Sequence, residues 1–232
     1  MDIHLFVRRL PVISNAFKVF CFIGLFFFFS CKVATRKKHG DITTNGNTQI
    51  ASTNVIRPDT ILLVSMDFNE VFLIPPIKNK IKTFYKLPVK HIQSSLPRFA
   101  YYKERDRYRA DSLLNYLAAL NNRRDRFITG LTSKDISTTN GSILDWGIFG
   151  LGSLSAKGCI TSSFRLKRNA STALLTERIQ KVVLHEVGHN FGLPHCTSIF
   201  PCFMKAADGK ISEVDTEPME MCSVCRGKIR LN

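Results

Sequence analysis

Apolar and polar positions alternate along this chain in blocks whose spacing names their structure. DTILLVSMDF, Asp59–Phe68, is a short apolar run that follows Pro58 and is bounded by polar residues, which predicts a buried strand. The next run, VFLIPP, reads as an extended continuation stopped by Pro75 and Pro76, whose nitrogens cannot donate. In YRADSLLNYLAALNNRRD, Leu113, Leu114, Leu117 and Leu120 recur at helical spacing and predict an amphipathic helix. RFITGLTSKDIS predicts a strand and then a turn. DWGIFGLGSLSAKGCITSSFRLK predicts two further short strands around glycine-rich turns. STALLTERIQKVVLHEVGHNFG predicts a second helix, with Leu175, Ile179, Val182 and Val183 on its apolar face. Strand, helix, strands and helix in this order predict an α+β domain, α/β-like in its layering. No internal repeat is visible.

The N-terminal pattern is of another kind. Arg8, Arg9 and Lys18 precede the apolar run Val19–Phe29, which is too short and too abruptly ended for a comfortable membrane span. Positive residues, an apolar stretch and a small residue before Cys31 make an export signal over residues 1–30. Ser30-Cys31 resembles a bacterial lipobox of the loose Bacteroidetes type, although Phe28 and Phe29 stand where Leu and a small residue are usual. That resemblance implies cleavage before Cys31, lipidation of its thiol and an acyl anchor in a bacterial envelope. A plain signal peptide or a retained anchor are the alternatives. Residues 31–58 are polar, rich in Thr and Asn, and without an apolar period, so they read as a flexible tether. The domain proper is then 59–232, and the whole chain of 232 residues suits one domain with appendages.

Charge adds little to this picture. Lys and Arg outnumber Asp and Glu by 33 to 18, a net +15. Removing residues 1–30 takes away Asp2, Arg8, Arg9 and Lys18, a net +2, and leaves +13. A basic surface suits acidic peptides, an anionic envelope or nucleic acid, and by itself names none of them.

The chemistry sits in HEVGHNFGLPHC, which holds three of the six histidines. His185 and His189 are four apart on the second helix, so both rings lie on one face and can reach one ion. Glu186 stands beside the first and can take a proton from water near a metal. Gly192 tolerates the left-handed conformation that turns the chain and swings His195 back. Three imidazoles leave a fourth tetrahedral position open, which is the arrangement of a catalytic zinc.

His185-Glu186-x-x-His189-x-x-Gly192-x-x-His195 is the signature of the metzincin zinc peptidases. The continuation Cys196-x5-Cys202-x-Met204-x17-Cys222-x2-Cys225 resembles the archaemetzincin family. The first two cysteines are one residue further apart than in the family pattern, and an export segment departs from a family read mostly as intracellular. The resemblance implies a compact zincin domain with a mixed sheet, an active-site helix and a zinc-bound C-terminal tail. It implies that His185, His189 and His195 hold a catalytic zinc, and that Glu186 acts as base and then acid while zinc-bound water attacks a peptide carbonyl. Met204 matches the methionine of the turn beneath the metal, a packing residue. Cys196, Cys202, Cys222 and Cys225 would close a second, structural zinc site, giving two Zn2+ per chain. Two disulfides are the alternative for an exported protein. Cys159 is left over and reads as a small core residue. Gly158–Leu166 would be the sheet edge that pairs with extended substrate.

The implied function is a zinc metallopeptidase acting on peptides or proteins, with a catalytically weak zinc-containing peptide-binding protein as the alternative. Nucleic acid is not expected, since Asp208, Glu213, Asp215, Glu217 and Glu220 lie between the cysteine pairs.

Overall fold

The computed structural model of the chain describes residues 58–154, 158–207 and 209–229. The export segment 1–30, the lipidation candidate Cys31 and the tether up to residue 57 lie outside the described residues. Among the described residues no helix is long and apolar enough to cross a membrane.

Strand β1, Thr60–Met66, is buried along its whole length. Its side chains alternate between two cores, with Ile61 and Leu63 on one side and Leu62 and Val64 on the other. A strand covered on both faces reads as a continuous apolar run, which is why the sequence marks it so plainly. A 3-10 turn, Val71–Leu73, leads directly into helix α1, Ile74–Tyr85. Pro75 and Pro76 therefore open a helix and do not stop a strand. They stand in its first turn, where amides have no intrahelical acceptor and a fixed φ suits the helix. Strand β2, Val89–Ser94, follows, then the short β3, Tyr101–Tyr102, and β4, Arg107–Arg109. Helix α2 spans Ala110–Leu120 and buries Leu113 and Leu117. After it come β5, Arg126–Thr132, β6, Ile136–Asn140, β7, Ile143–Ile148, β8, Gly150–Gly152, and β9, Cys159–Ser162. Four helices complete the chain: α3, Ser163–Leu166, α4, Thr172–Asn190, α5, Ile211–Thr216, and α6, Ser223–Ile229.

The main sheet has the order β2-β1-β5-β9-β8, parallel except for the last strand. Helices α1 and α4 pack on one face through Ile77, Ile81, Ile179, Val183 and Val187. Helix α2 covers the other face, where Leu113 and Leu117 meet Val64, Ile128 and Ile160. Helices on both faces of a mostly parallel sheet satisfy the α/β-like layering that the pattern predicts. A second sheet, β3-β4-β6-β7, lies alongside. Charge fixes its place: Asp135 takes Arg165 at 2.7 and 2.9 Å and Arg107 at 3.3 Å, and Arg107 also reaches Asp145 at 3.1 Å.

The C-terminal segment is held to α4 by an ion pair between the buried Arg178 and the partly exposed Asp215. Arg178 donates to both oxygens of Asp215, at 2.6 and 2.7 Å, and to the carbonyls of Leu166 and Arg168. This one guanidinium joins α4 to the end of α3 and to α5. Removing one partner of a fully buried pair costs about 3–5 kcal/mol, and the partly exposed Asp215 recovers some hydration. We therefore expect Arg178→Met to lose about 2–3 kcal/mol, or roughly 5–10 °C in Tm. Arg178 holds the Asp215 carboxyl below its ordinary range by direct hydrogen bonding. A carboxyl lowered in the folded state stabilises above its unfolded pKa of about 4, and this contribution is lost as pH falls through the folded value. Thermal unfolding followed by circular dichroism should show the gap between wild type and Arg178→Met at pH 7 and a much smaller gap at pH 2. An equal gap at both would exclude the charge as its source.

Candidate metal centre and active-site cleft

Helix α4 starts where the Ser171 hydroxyl accepts the Leu174 amide, and it runs 19 residues through the core. Its end is a closed turn. Gly192 takes φ +83°, Gly192 N–H bonds the His189 carbonyl at 2.8 Å, and Leu193 N–H bonds the Gly188 carbonyl at 3.2 Å. This pair of bonds with glycine in the left-handed position is a Schellman ending, and it sends the chain back across the helix end.

The histidines are then fixed atom by atom. His185 Nδ1 lies 2.6 Å from the Phe203 carbonyl, and His189 Nδ1 lies 2.6 Å from the Leu193 carbonyl. A carbonyl can only accept, so both Nδ1 atoms carry the proton. Burial and the neighbouring His189 push the His185 pKa down to about 3, and burial lowers that of His189 too. Both rings are therefore neutral near pH 7, and both Nε2 atoms present lone pairs. Those two nitrogens face each other at 3.0 Å with no proton to share. A cation between them resolves the repulsion, and carbonyl-bound Nδ1–H groups are the usual outer support of metal-binding imidazoles. His195, exposed on the loop after the turn, brings a third ring within 5.3 Å of His185 and 5.0 Å of His189, centroid to centroid. The three ligand atoms lie within 4.8 Å of one another, so they could hold one ion.

Glu186 turns from the same helix towards the opposite wall. It is buried against β8, where a Cβ on Gly150 would stand 2.5 Å from Oε1 and one on Gly152 2.7 Å from the Glu186 carbonyl. Burial raises its carboxyl to about 8, and a cation alongside pulls in the other direction. On the far side of the helix, Met204 is fully buried against Gly188, where a Cβ would meet its sulfur at 2.4 Å. It packs below the helix, in the position of a support. Tyr85 joins it there and donates to the Leu184 carbonyl at 2.5 Å.

A cavity of about 590 Å³ opens over these groups. Its lining includes His185, Glu186, His189 and His195, the backbone of Gly150–Gly152, Trp146 of β7, and Lys205 and Glu217 beyond the helix. Here the sequence reading needs a correction. Cys159–Ser162 is paired on both sides, to β5 and to β8, and Ser163–Leu166 is a short helix. The free edge facing the cavity is β8, Gly150–Gly152. Gly-Leu-Gly carries no strand propensity, which hid it. The signal it does carry is glycine at alternate positions, which marks close approach by another element, here α4. Trp146 and Tyr85 also escaped sequence reasoning, because nothing local marks a residue that reaches its site through tertiary contact.

The four tail cysteines converge separately. The sulfurs of Cys196, Cys202, Cys222 and Cys225 lie within 4.8 Å of one another, and all four are free thiols. Cys196 and Cys222 sulfurs are 3.7 Å apart, and the Cys222 amide donates to the Cys202 sulfur at 3.4 Å. Thiolates about 2.3 Å from a common zinc would stand about 3.8 Å apart, so the spacing fits a tetrahedral site. The Cys225 amide is the main cause that lowers the Cys222 thiol to about 7, towards the ligating form. Cys159 stays apart from this cluster, fully buried in the core.

The chain is similar to known proteins along most of its length. The model of Peptidase family M54 matches residues 68–231. The archaemetzincin of Nanoarchaeum equitans is 32% identical over 152 residues, covering 66% of this chain and 79% of that protein. The archaemetzincin of Methanopyrus kandleri is 31% identical over 147 residues, covering 63% and 79%. The crystal structure of the M. kandleri protein superposes with a TM-score of 0.64 at 27% identity, over 75% of this chain and 94% of that one. That of Archaeoglobus fulgidus archaemetzincin gives 0.62 at 25%, over 73% and 99%. Matched through the histidine helix and most of the tail alike, this chain belongs to peptidase family M54, the archaemetzincins, and is a zinc metallopeptidase with their α+β fold.

Proposed function

We propose that the chain hydrolyses peptide bonds with a zinc held by His185, His189 and His195 and with Glu186 as its proton carrier. The observation that carries this reading is the facing pair of Nε2 lone pairs at 3.0 Å, with Glu186 in the wall of the same cavity. A zinc ion there would supply Lewis acidity, polarising a carbonyl and acidifying water. Glu186 takes the proton of the attacking water on a carboxylate oxygen and returns it to the leaving nitrogen. Its burial against Gly150 and Gly152 keeps that carboxylate out of bulk water and in one place. Strand β8 receives the substrate: its outer backbone groups border the cavity, and an extended peptide can add to them as a further strand.

The cysteine cluster holds a second, structural zinc in this reading, so the chain carries two. Cys196 follows His195 directly, and its amide bonds the Met204 carbonyl at 2.8 Å. The cluster thereby fixes the loop that presents the third histidine. The sequence of residues 1–31 supports export and lipidation at Cys31, placing the peptidase on an envelope surface.

Glu186→Gln should lower kcat/KM on the order of 10²- to 10⁴-fold, the usual worth of a general base. Its zinc content, measured by atomic emission, should stay at the wild-type value. Full activity in this variant would remove Glu186 from the mechanism. Wild type should carry two zinc ions per chain, and Cys222→Ala one, with thiols titrating as free once metal is stripped. One zinc in the wild type with no titratable tail thiols would replace the second metal by disulfides.

A further inference from the structure

The cleft contains a carboxylate that hydrolysis does not use. Besides Glu186 and the histidines, the cavity is lined by Val182 of α4, Val214 of α5 and Trp146 of β7. The indole lies over Gly209, where a Cβ would touch the ring at 3.4 Å. Glu217, in the segment after α5, lines the same cavity and is half-buried. Among the described residues its carboxylate has neither a hydrogen bond nor an ion pair. Lys181 is committed elsewhere, to Glu177 at 2.8 Å and to the carbonyls of Val214 and Asp215 at 3.0 and 3.2 Å. Burial raises the Glu217 carboxyl, and Lys205 and Lys181, which both line the cavity but stand beyond ion-pair distance of it, oppose that rise without occupying its oxygens. A partly desolvated carboxylate without a direct partner gains from a cation that pairs with it.

We propose that Glu217 is a specificity-determining residue, which receives the ammonium or guanidinium of a lysine or arginine flanking the scissile bond. The match is one of shape as well as charge. Lysine and arginine carry a three- or four-carbon stem below the charged head, and such stems pack along apolar surface. Val182, Val214 and the Trp146 face supply that surface, and the indole adds attraction for a cation. An acidic side chain would bring a like charge towards Glu217. The inference rests on the peptidase reading and names the substrate class of that site.

The test uses the zinc-loaded full chain with Glu217→Gln and Glu217→Lys. Cleavage of a mixed peptide library, read by mass spectrometry, locates the preferred residue beside the cut. Matched peptides carrying Lys, Leu or Glu at that position then give kcat/KM ratios. The wild-type Lys-to-Leu ratio should be roughly tenfold or more, the size of one well-placed charge contact, and should fall to near one in Glu217→Gln. Glu217→Lys should turn the preference towards Glu. An unchanged ratio in Glu217→Gln, or a wild-type preference for Glu set by Lys205, would overturn the proposal. Should wild type cleave no peptide, the peptidase reading fails and the pocket is decided by binding. The chain's single tryptophan, Trp146, reports it by fluorescence. Titration with a short lysine peptide should then show roughly tenfold weaker binding in Glu217→Gln. Equal binding in both would overturn the proposal.

Discussion

Neutral imidazoles repel where their lone pairs meet, and the polypeptide holds two such rings 3.0 Å apart, nitrogen to nitrogen. The other features of the site serve to keep them there. Each ring needs an acceptor for its Nδ1 proton, and the two acceptors come from different parts of the chain. Leu193 lies in the turn that closes α4, and Phe203 lies well beyond it. Phe203 is placed by its own amide, which bonds the Glu220 carbonyl at 2.8 Å just before Cys222. The cysteine cluster is thus two backbone steps from the orientation of the first histidine. Below the helix, Met204 and Tyr85 press where Gly188 leaves room, so α4 cannot sink away from the cavity.

The two walls of the cleft are built on different principles. The β8 wall is backbone, bared by glycines so that Glu186 and His189 can approach it. A backbone wall attracts peptides through groups that every peptide carries. Other parts of the lining are side chain, among them Trp146, Val182, Val214 and Glu217. Trp146 belongs to the second sheet, and its strand stays in place because Arg165, bidentate on Asp135, lies against Gly147. The backbone wall and the side-chain lining therefore rest on separate supports.

The convergence of His185 and His189 was legible in the sequence because helix geometry converts a spacing of four directly into a shared face. The same holds for α2 and β1, whose periodicity reports which sides are covered. Residues 71–76 were misread because proline carries two opposite meanings, a barrier inside an element and a favoured opening for a helix. The free sheet edge was assigned one strand too late. Cys159–Ser162 has the apolar character of a strand because it is buried between neighbours, whereas the true edge is too short and too rich in glycine to have any. Trp146 and Glu217 could not be assigned at all, since their places depend on how a hairpin and a tail fold across α4.

The turn and the loop around His195 also differ in how much length they tolerate. Between Gly188 and Leu193 the backbone is a ring closed by hydrogen bonds at both of its levels, with His189 tied into it. An inserted residue there would change the direction in which His195 returns. From Thr197 to Pro201 the chain is instead a surface loop, its tip formed by exposed Ile199 and Phe200. It is pinched shut at its base by the bond from Cys196 to Met204. Residues could therefore be added to or removed from this loop, beyond the bond that closes its base, without disturbing the turn that returns His195 to its neighbours.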